Sequence, residues 1–442
     1  MIILPMPNCT VPDSLFSPLK RRKIELSFEG GDVSSDTGLL LLQRIDQHLN
    51  LLERVALDLP DDRDPKRITH STLSLLRQRV YGIAQGYEDL NDHDVLRHDP
   101  LLQTALGQLH SAGSSPTLCR FENRENRAAA MVIAHELVEQ FIASFTVPPK
   151  ELILDFDATD DPIHGNQAGR FFHGYYGNYC FLPLYVFCGS QLLVAYLRPS
   201  NIDAAKHSAA ILKLLVTRLR KAWPHVRIIF RGDSGFCRQR LLNWCERNQV
   251  HYIVGLAKNS RLQFISRWSM ESALEGWALT GEKQRCFGWY WYQASSWKVM
   301  RRVIAKAEVT TQGENPRYVV TNLDGHPQTL YDDVYCQRGD MENRIKECQL
   351  GLFADRTSCH RWWHNQFRLL LASLAYVLIE RLRSLALIGT ELAHAQVGTL
   401  RVKLLKLGAV IVRNTRRIRI LASSSFPLEN LFVQVLQRLR PG

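Results

Sequence analysis

The chain has 442 residues, 45% of them hydrophobic, enough for a large core and two or three domains. Its 55 Lys and Arg against 43 Asp and Glu give a formal net charge of +12, which favours a polyanionic partner, nucleic acid before an anionic membrane surface. There is no low-complexity segment, and the longest apolar run, the eleven residues Leu369 to Ile379, is too short for a membrane span and reads as a buried helix.

Residues 1–35 read as irregular, with a basic knot at Lys20-Arg21-Arg22-Lys23. The opening MIILPMPNC has no basic stretch before its short apolar run and does not read as a signal peptide. Helical periodicity follows over Leu39 to Leu52 and over Ser71 to Gln85, where Thr69 and Ser71 are capping candidates. Shorter helical pieces lie between Asn91 and Leu106, and Pro116 to Ser144 predicts one long helix. Residues 1–148 are thus expected to be a mostly helical region, closed by Pro148-Pro149.

The stretch Glu151 to Gly165, ELILDFDATDDPIHG, predicts a buried strand that runs into four aspartates, Asp155, Asp157, Asp160 and Asp161. A desolvated carboxylate needs a cation or a metal beside it, or its pKa shifts. Tyr179 to Phe187 and Leu192 to Leu197 read as strands, and Asp203 to Trp223 as a helix. Val226 to Phe230 is a further strand, ending in Arg231-Gly232-Asp233-Ser234-Gly235. A helix over Arg238 to Arg247 and a strand over His251 to Leu256 complete a predicted mixed sheet with helices on its faces, residues 149–259. Residues 260–330 hold five of the nine tryptophans, Trp268, Trp277, Trp289, Trp291 and Trp297, and read as a β-rich insertion with strands at Cys286–Tyr292, Trp297–Val309 and Tyr318–Thr321. Residues 331–390 return to helix. Residues 391–442 are basic: from Val397 onward nine Lys or Arg face one acid, Glu429. Alternation at Arg417, Ile418, Arg419 and Ile420 predicts a strand with arginines on one face, and Arg413, Arg416, Arg417 and Arg419 are candidates for phosphate contact.

Three acids are candidates for the chemistry. Asp157 and Asp233 end strands that neighbour each other in the predicted sheet, so their carboxylates can converge. Glu342 shares a helix face with Tyr335 and Arg338 through spacings of three and four. Three such carboxylates suit Mg²⁺ or Mn²⁺, and two ions held this way clamp both oxygens of a phosphoryl transfer. The ten cysteines form no CxxC pair and there is no His-rich cluster, which argues against zinc. Asp155 lies on the same strand face as Asp157, so periodicity does not separate them.

The motifs LDFDATDDPIHG, FRGDSGF and YCQRGDMENRIKE followed by GLFADRTS, with SSPTLCRFEN ahead of them, resemble a DDE transposase with an RNase H-like core, and most of all the insertion-sequence 1380 family, over roughly residues 30–385. The resemblance implies an α/β fold: an RNase H-like mixed-sheet catalytic core with a β-rich insertion, preceded by a mostly helical region, which is large, has no catalytic constellation of its own and is expected to bind and pair the element ends. It implies Asp157, Asp233 and Glu342 as the metal-binding catalytic triad, with two Mg²⁺ or Mn²⁺ ions, and its Asp-small-hydroxyl pattern favours Asp157 over Asp155. Tyr335 and Arg338 match a Tyr, Arg, Glu, Lys signature. The Lys position falls on Gln349, and Lys346 is the nearest substitute for a phosphate contact. An insertion tryptophan is expected to stack on a base near the cleavage site. The implied partners are double-stranded DNA, as terminal inverted repeats and target, and a second copy in a homodimer on paired ends. The implied location is the bacterial cytoplasm at the nucleoid, with no membrane; the scattered thiols fit a reducing cytosol. Two competing readings are a DNA-binding protein that keeps the fold without catalysis and a metal-dependent nuclease that cuts without strand transfer.

Overall fold

The computed structural model describes residues 16–440, so the opening MIILPMPNC lies outside the described residues. Among the described residues the chain divides into two compact units, 16–48, 65–119 and 381–440 in one, 49–64 and 120–380 in the other. This cuts across the boundaries expected from the sequence. Much of 1–148 shares a unit with all of 391–442, and 260–330 belongs to the unit of the acidic strands.

The first unit is knitted from distant parts of the chain. Val33–Ser34 forms a three-stranded antiparallel sheet with Ala409–Arg413 and Ile418–Ala422. Asp36 accepts from the Tyr87 hydroxyl at 2.6 Å and from Lys406 at 2.7 Å. Gly38 approaches Leu405 so closely that a Cβ there would lie 2.3 Å from the Leu405 Cα, so no other residue fits. The helix Thr72–Gln85 is capped by Ser71, whose side chain accepts from the Ser74 N–H, and it stops at Gly86 with a left-handed φ of 98°. It buries Leu75, Leu76, Val80 and Tyr81, and the Tyr81 hydroxyl donates to buried Asp46.

The second unit is built on a nine-stranded mixed sheet. Its principal strands are β1 (Glu151–Ala158), β2 (Leu184–Cys188), β3 (Gln191–Tyr196), β4 (Arg227–Gly232), β5 (His251–Leu256), β6 (Gln284–Tyr292), β7 (Arg301–Thr310) and β8 (Arg317–Thr321). The spatial order is β6-β7-β8-β5-β4-β1-β2-β3, with the short strand Gly313–Glu314 paired to β7. β1, β2 and β3 form an antiparallel meander, while β4 and β5 run parallel to β1. This is the RNase H-like core. One face packs Leu154, Phe156, Phe230 and Val254 under the helices Arg127–Ala143, Ser208–Ala222 and Gln239–Arg247. The other carries Ile229, Ile253, Ile304 and Val319 beneath Leu330 and Tyr331. Beside it the helix Trp362–Arg381 sets Tyr376 edge-on to Phe187 at 5.7 Å.

Several elements differ from their sequence-based limits for local reasons. The expected strand Tyr179–Phe187 breaks at Leu182-Pro183, since proline cannot donate to a ladder. Its first half, Asn178–Phe181, joins Asp161–Pro162 and Phe171–His173 in a small separate sheet. The expected helix Pro116–Ser144 is two, Ser115–Arg124 and Arg127–Ala143, because the Asn126 side chain caps the second by accepting from the Ala128 and Ala129 N–H groups. The insertion opens with two helices, Ser260–Ile265 and Arg267–Thr280, and Trp297 lies in the turn before β7. The strands that follow extend the core sheet itself: β8 is hydrogen-bonded to β5, from Tyr318 opposite Leu256 to Thr321 opposite Ile253.

Candidate active site

The parallel pairing of β1 with β4 sets Asp155 opposite Arg231 and Phe156 opposite Gly232. The next step brings Asp157 level with Asp233 at the carboxyl ends of both strands. On its other side Asp157 is paired with Tyr185 of β2. Asp157 accepts from the Ala158 N–H at 2.9 Å, and Asp233 caps the turn Ser234–Phe236 by accepting from the Gly235 N–H at 2.8 Å. These short bonds fix each carboxylate at the sheet edge.

Glu342 arrives on the helix Gly339–Lys346, which continues from a π-helical stretch, Leu330–Tyr335, and a 3₁₀ turn, Cys336–Arg338. Arg338 joins the acids. Its Nη1 donates to Asp157 Oδ2 at 3.1 Å and its Nη2 to Glu342 Oε1 at 2.9 Å. Burial pushes the Asp157 carboxyl up to about 7, with Asp233 and Glu342 adding to the rise and Arg338 opposing it. The Arg338 guanidinium therefore does not offset the cost of burying this carboxylate.

Asp155 has a different partner. Arg231 grips it with Nε and Nη2, the latter at 2.7 Å, and donates also to the Val334 carbonyl. Both side chains are buried. This ion pair joins β1, β4 and the π-helical stretch at Val334, and it separates Asp155 from Asp157 where periodicity could not. Sequence reasoning missed Arg231 and also Gly255. A Cβ at Gly255 would lie 2.6 Å from the Tyr335 hydroxyl oxygen and 2.7 Å from the Ser234 nitrogen, so β5 must present bare backbone beside Asp233. Pairing registers carry these roles, and no local sequence pattern signals them.

The family model for the transposase DDE domain, group 1, matches residues 16–442. The chain belongs to that family. The match does not single out the narrower insertion-sequence 1380 family. Among solved structures, the piggyBac transposase synaptic complex with hairpin DNA is similar at 12% identity and a TM-score of 0.41, over 92% of this chain and 86% of that one. No curated protein matches.

Within this DDE-family chain a cleft of about 370 Å³ opens beside Asp233. Its lining includes Gly255, Tyr335 and Arg338 and adds two cations that sequence reasoning had not singled out, Lys258 and Arg317. Burial raises the Tyr335 phenol above its ordinary value, so it stays protonated and able to donate. Lys346 is exposed one turn beyond Glu342. Gln349, at the expected Lys position, donates instead to the Asp160 carbonyl at 2.8 Å and pins the helix to the end of β1. Of the five insertion tryptophans, Trp268, Trp289 and Trp291 are exposed, Trp277 is partly covered and Trp297 is buried.

The carboxylate oxygens and the raised Asp157 suit a hard divalent cation. In this arrangement the Arg338 guanidinium bridges two of the acids. Among the described residues no three His, Cys, Asp or Glu side chains are gathered closely enough to hold an ion. The donor set fits in kind, and a cation at Asp157 and Glu342 would compete with Arg338. No helix among the described residues is long and apolar enough to cross a membrane.

Proposed function

We propose that this DDE-family chain hydrolyses a phosphodiester at the end of an insertion sequence and joins the freed 3′-OH to a target phosphodiester. The observation that supports the reading is the β1–β4 register that sets Asp157 beside Asp233, with Glu342 tied to Asp157 through Arg338. Asp157, Asp233 and Glu342 would hold Mg²⁺ or Mn²⁺, two ions in this reading, which supply charge neutralisation at the phosphate and a more acidic water. Arg338, displaced from the carboxylates, is then free for a phosphate oxygen, as are Lys258, Lys346 and the Nη groups of Arg317, whose Nε donates to Asn315. The protonated Tyr335 donates to the same backbone and orients it for in-line attack. The partner in this reading is double-stranded DNA, terminal repeats and target, and the net charge of +12 suits it. We assign recognition and pairing of the ends to the residues outside the unit of the nine-stranded sheet, with a homodimer on paired ends at the bacterial nucleoid. A fragment ending at residue 148 is a poor test of that role, because it lacks the strands and helices of 381–442 that complete its unit.

The test is to incubate the chain with the flanking element ends, a target plasmid and Mg²⁺, and to sequence the product junctions. Joined ends support transposition. Cut but unjoined ends leave a nuclease, and intact DNA that is nonetheless bound leaves a non-catalytic binder. Gly255→Ala is expected to lower cleavage by on the order of 10²-fold at saturating DNA, because the methyl displaces Tyr335 or the Asp233 turn. Wild-type rates in the alanine variant would show that the close approach of β5 is irrelevant to the chemistry.

A further inference from the structure

The basic C-terminal residues separate into two groups. Arg401 donates to the Ala84 and Ile83 carbonyls at 3.1 and 3.3 Å, and Lys406 pairs with Asp36. Arg413 donates to Gln103 at 2.8 Å and lies 3.7 Å from Asp32. Arg438 donates to the Ala386 and Ile388 carbonyls. These four hold the unit together, and Arg413 leaves the set of phosphate-contact candidates. Arg416, Arg417 and Arg419 differ: all three are exposed, and none has a side-chain hydrogen bond or ion pair among the described residues.

Their setting is a tight β-hairpin. Ala409–Arg413 and Ile418–Ala422 pair from Ala409 opposite Ala422 to Arg413 opposite Ile418, and the Asn414 N–H donates to the Arg417 carbonyl at 3.0 Å. The Asn414 side chain accepts from the Arg416 and Arg417 N–H groups at 3.0 and 2.9 Å, which fixes the tip without engaging either guanidinium. Ala409 and Ile411 turn inward onto Leu101. Arg419 is paired with Val412 and Leu421 with Val410, so they share the outward face, and alternation adds Arg417 to it. Val412 and Leu421 are exposed there. Three like charges within four residues repel one another, and no acid on the hairpin offsets them. A charged face of this kind matches a repeating anion, and a two-stranded ribbon is narrow enough to lie along a DNA groove.

We propose that the hairpin 409–422 is a sequence-independent DNA clamp, with Arg416, Arg417 and Arg419 on successive phosphates. The proposal rests on the reading of the chain as a DNA transposase. It is tested by binding of the whole chain to duplex DNA of random sequence across a salt series, for wild type, for R416Q/R417Q/R419Q, and for the corresponding triple lysine variant. The glutamine variant should flatten the log–log salt slope by about two to three and weaken binding at least about tenfold at low salt. The lysine variant keeps the charge and should keep the wild-type slope, which also shows that substitution at these positions leaves the fold intact. An unchanged slope in the glutamine variant overturns the clamp alone. So does a lysine variant that binds as poorly as the glutamine one, or a change in oligomeric state without a change in slope, which would make the face a protein interface. Wild type that binds no duplex overturns the transposase reading together with the clamp.

Discussion

Asp157→Asn, Asp233→Asn and Glu342→Gln are each expected to reduce strand cleavage by about 10³-fold or more, while duplex binding stays within a fewfold of wild type. Each change removes one charge at nearly constant volume. The three positions are not equivalent in the free protein. Burial pushes the Asp157 carboxyl up to about 7, so it is disfavoured as a carboxylate. Its replacement by Asn removes an unfavourable charge, so in the absence of divalent ions Asp157→Asn should fold at least as stably as wild type. Cleavage kinetics on a pre-nicked and an intact end, with binding measured in parallel, check all three. Full activity in any one variant would take that residue out of the site.

Asp155→Asn should do the reverse. Arg231 would keep its burial and its bond to the Val334 carbonyl but lose its counter-charge. Removing one partner of a buried pair costs about 3–5 kcal/mol, against less than half that for an ordinary surface substitution. The variant is therefore expected to unfold at a clearly lower urea midpoint yet to cleave at near wild-type rate per folded molecule. A neutral side chain at 155 looks mild when the strand is read alone, and the Arg231 pair is what makes it damaging. Undiminished stability combined with lost cleavage would transfer the catalytic role from Asp157 to Asp155.

The sequence made the core legible where information is local. Alternating apolar residues and turn signals mark β1, β4 and β5, and helical spacing puts Tyr335, Arg338 and Glu342 on one face. Pro183 and Asn126, which break elements expected to be continuous, are also local signals, and reading them more strictly would have placed both breaks. What could not be read was pairing. Nothing near Asp155 announces Arg231, 76 residues away. Nothing in HYIVGL says that the space above Gly255 is taken by Tyr335. The insertion illustrates the same limit: its strands were recognisable, but only the bonding of β8 to β5 reveals that they widen the existing sheet. Residue types at the centre were thus accessible from spacing, while the residues that aim and shield them required the register.

The pairing of Val33 with Val410 and the seating of Gly38 on Leu405 impose an order in time. During synthesis, at 5–20 residues per second, roughly 20–75 s separate the emergence of these partners. Residues 120–380 are made within that interval and can settle around their own sheet first. Leu40, which packs against Ala409 and Ile411, must wait with the early segment for that late partner. A product stopped before residue 405 would carry every acid of the candidate site and yet leave its other unit permanently open, so a stop codon there should disable the protein as thoroughly as a lesion in the acids themselves.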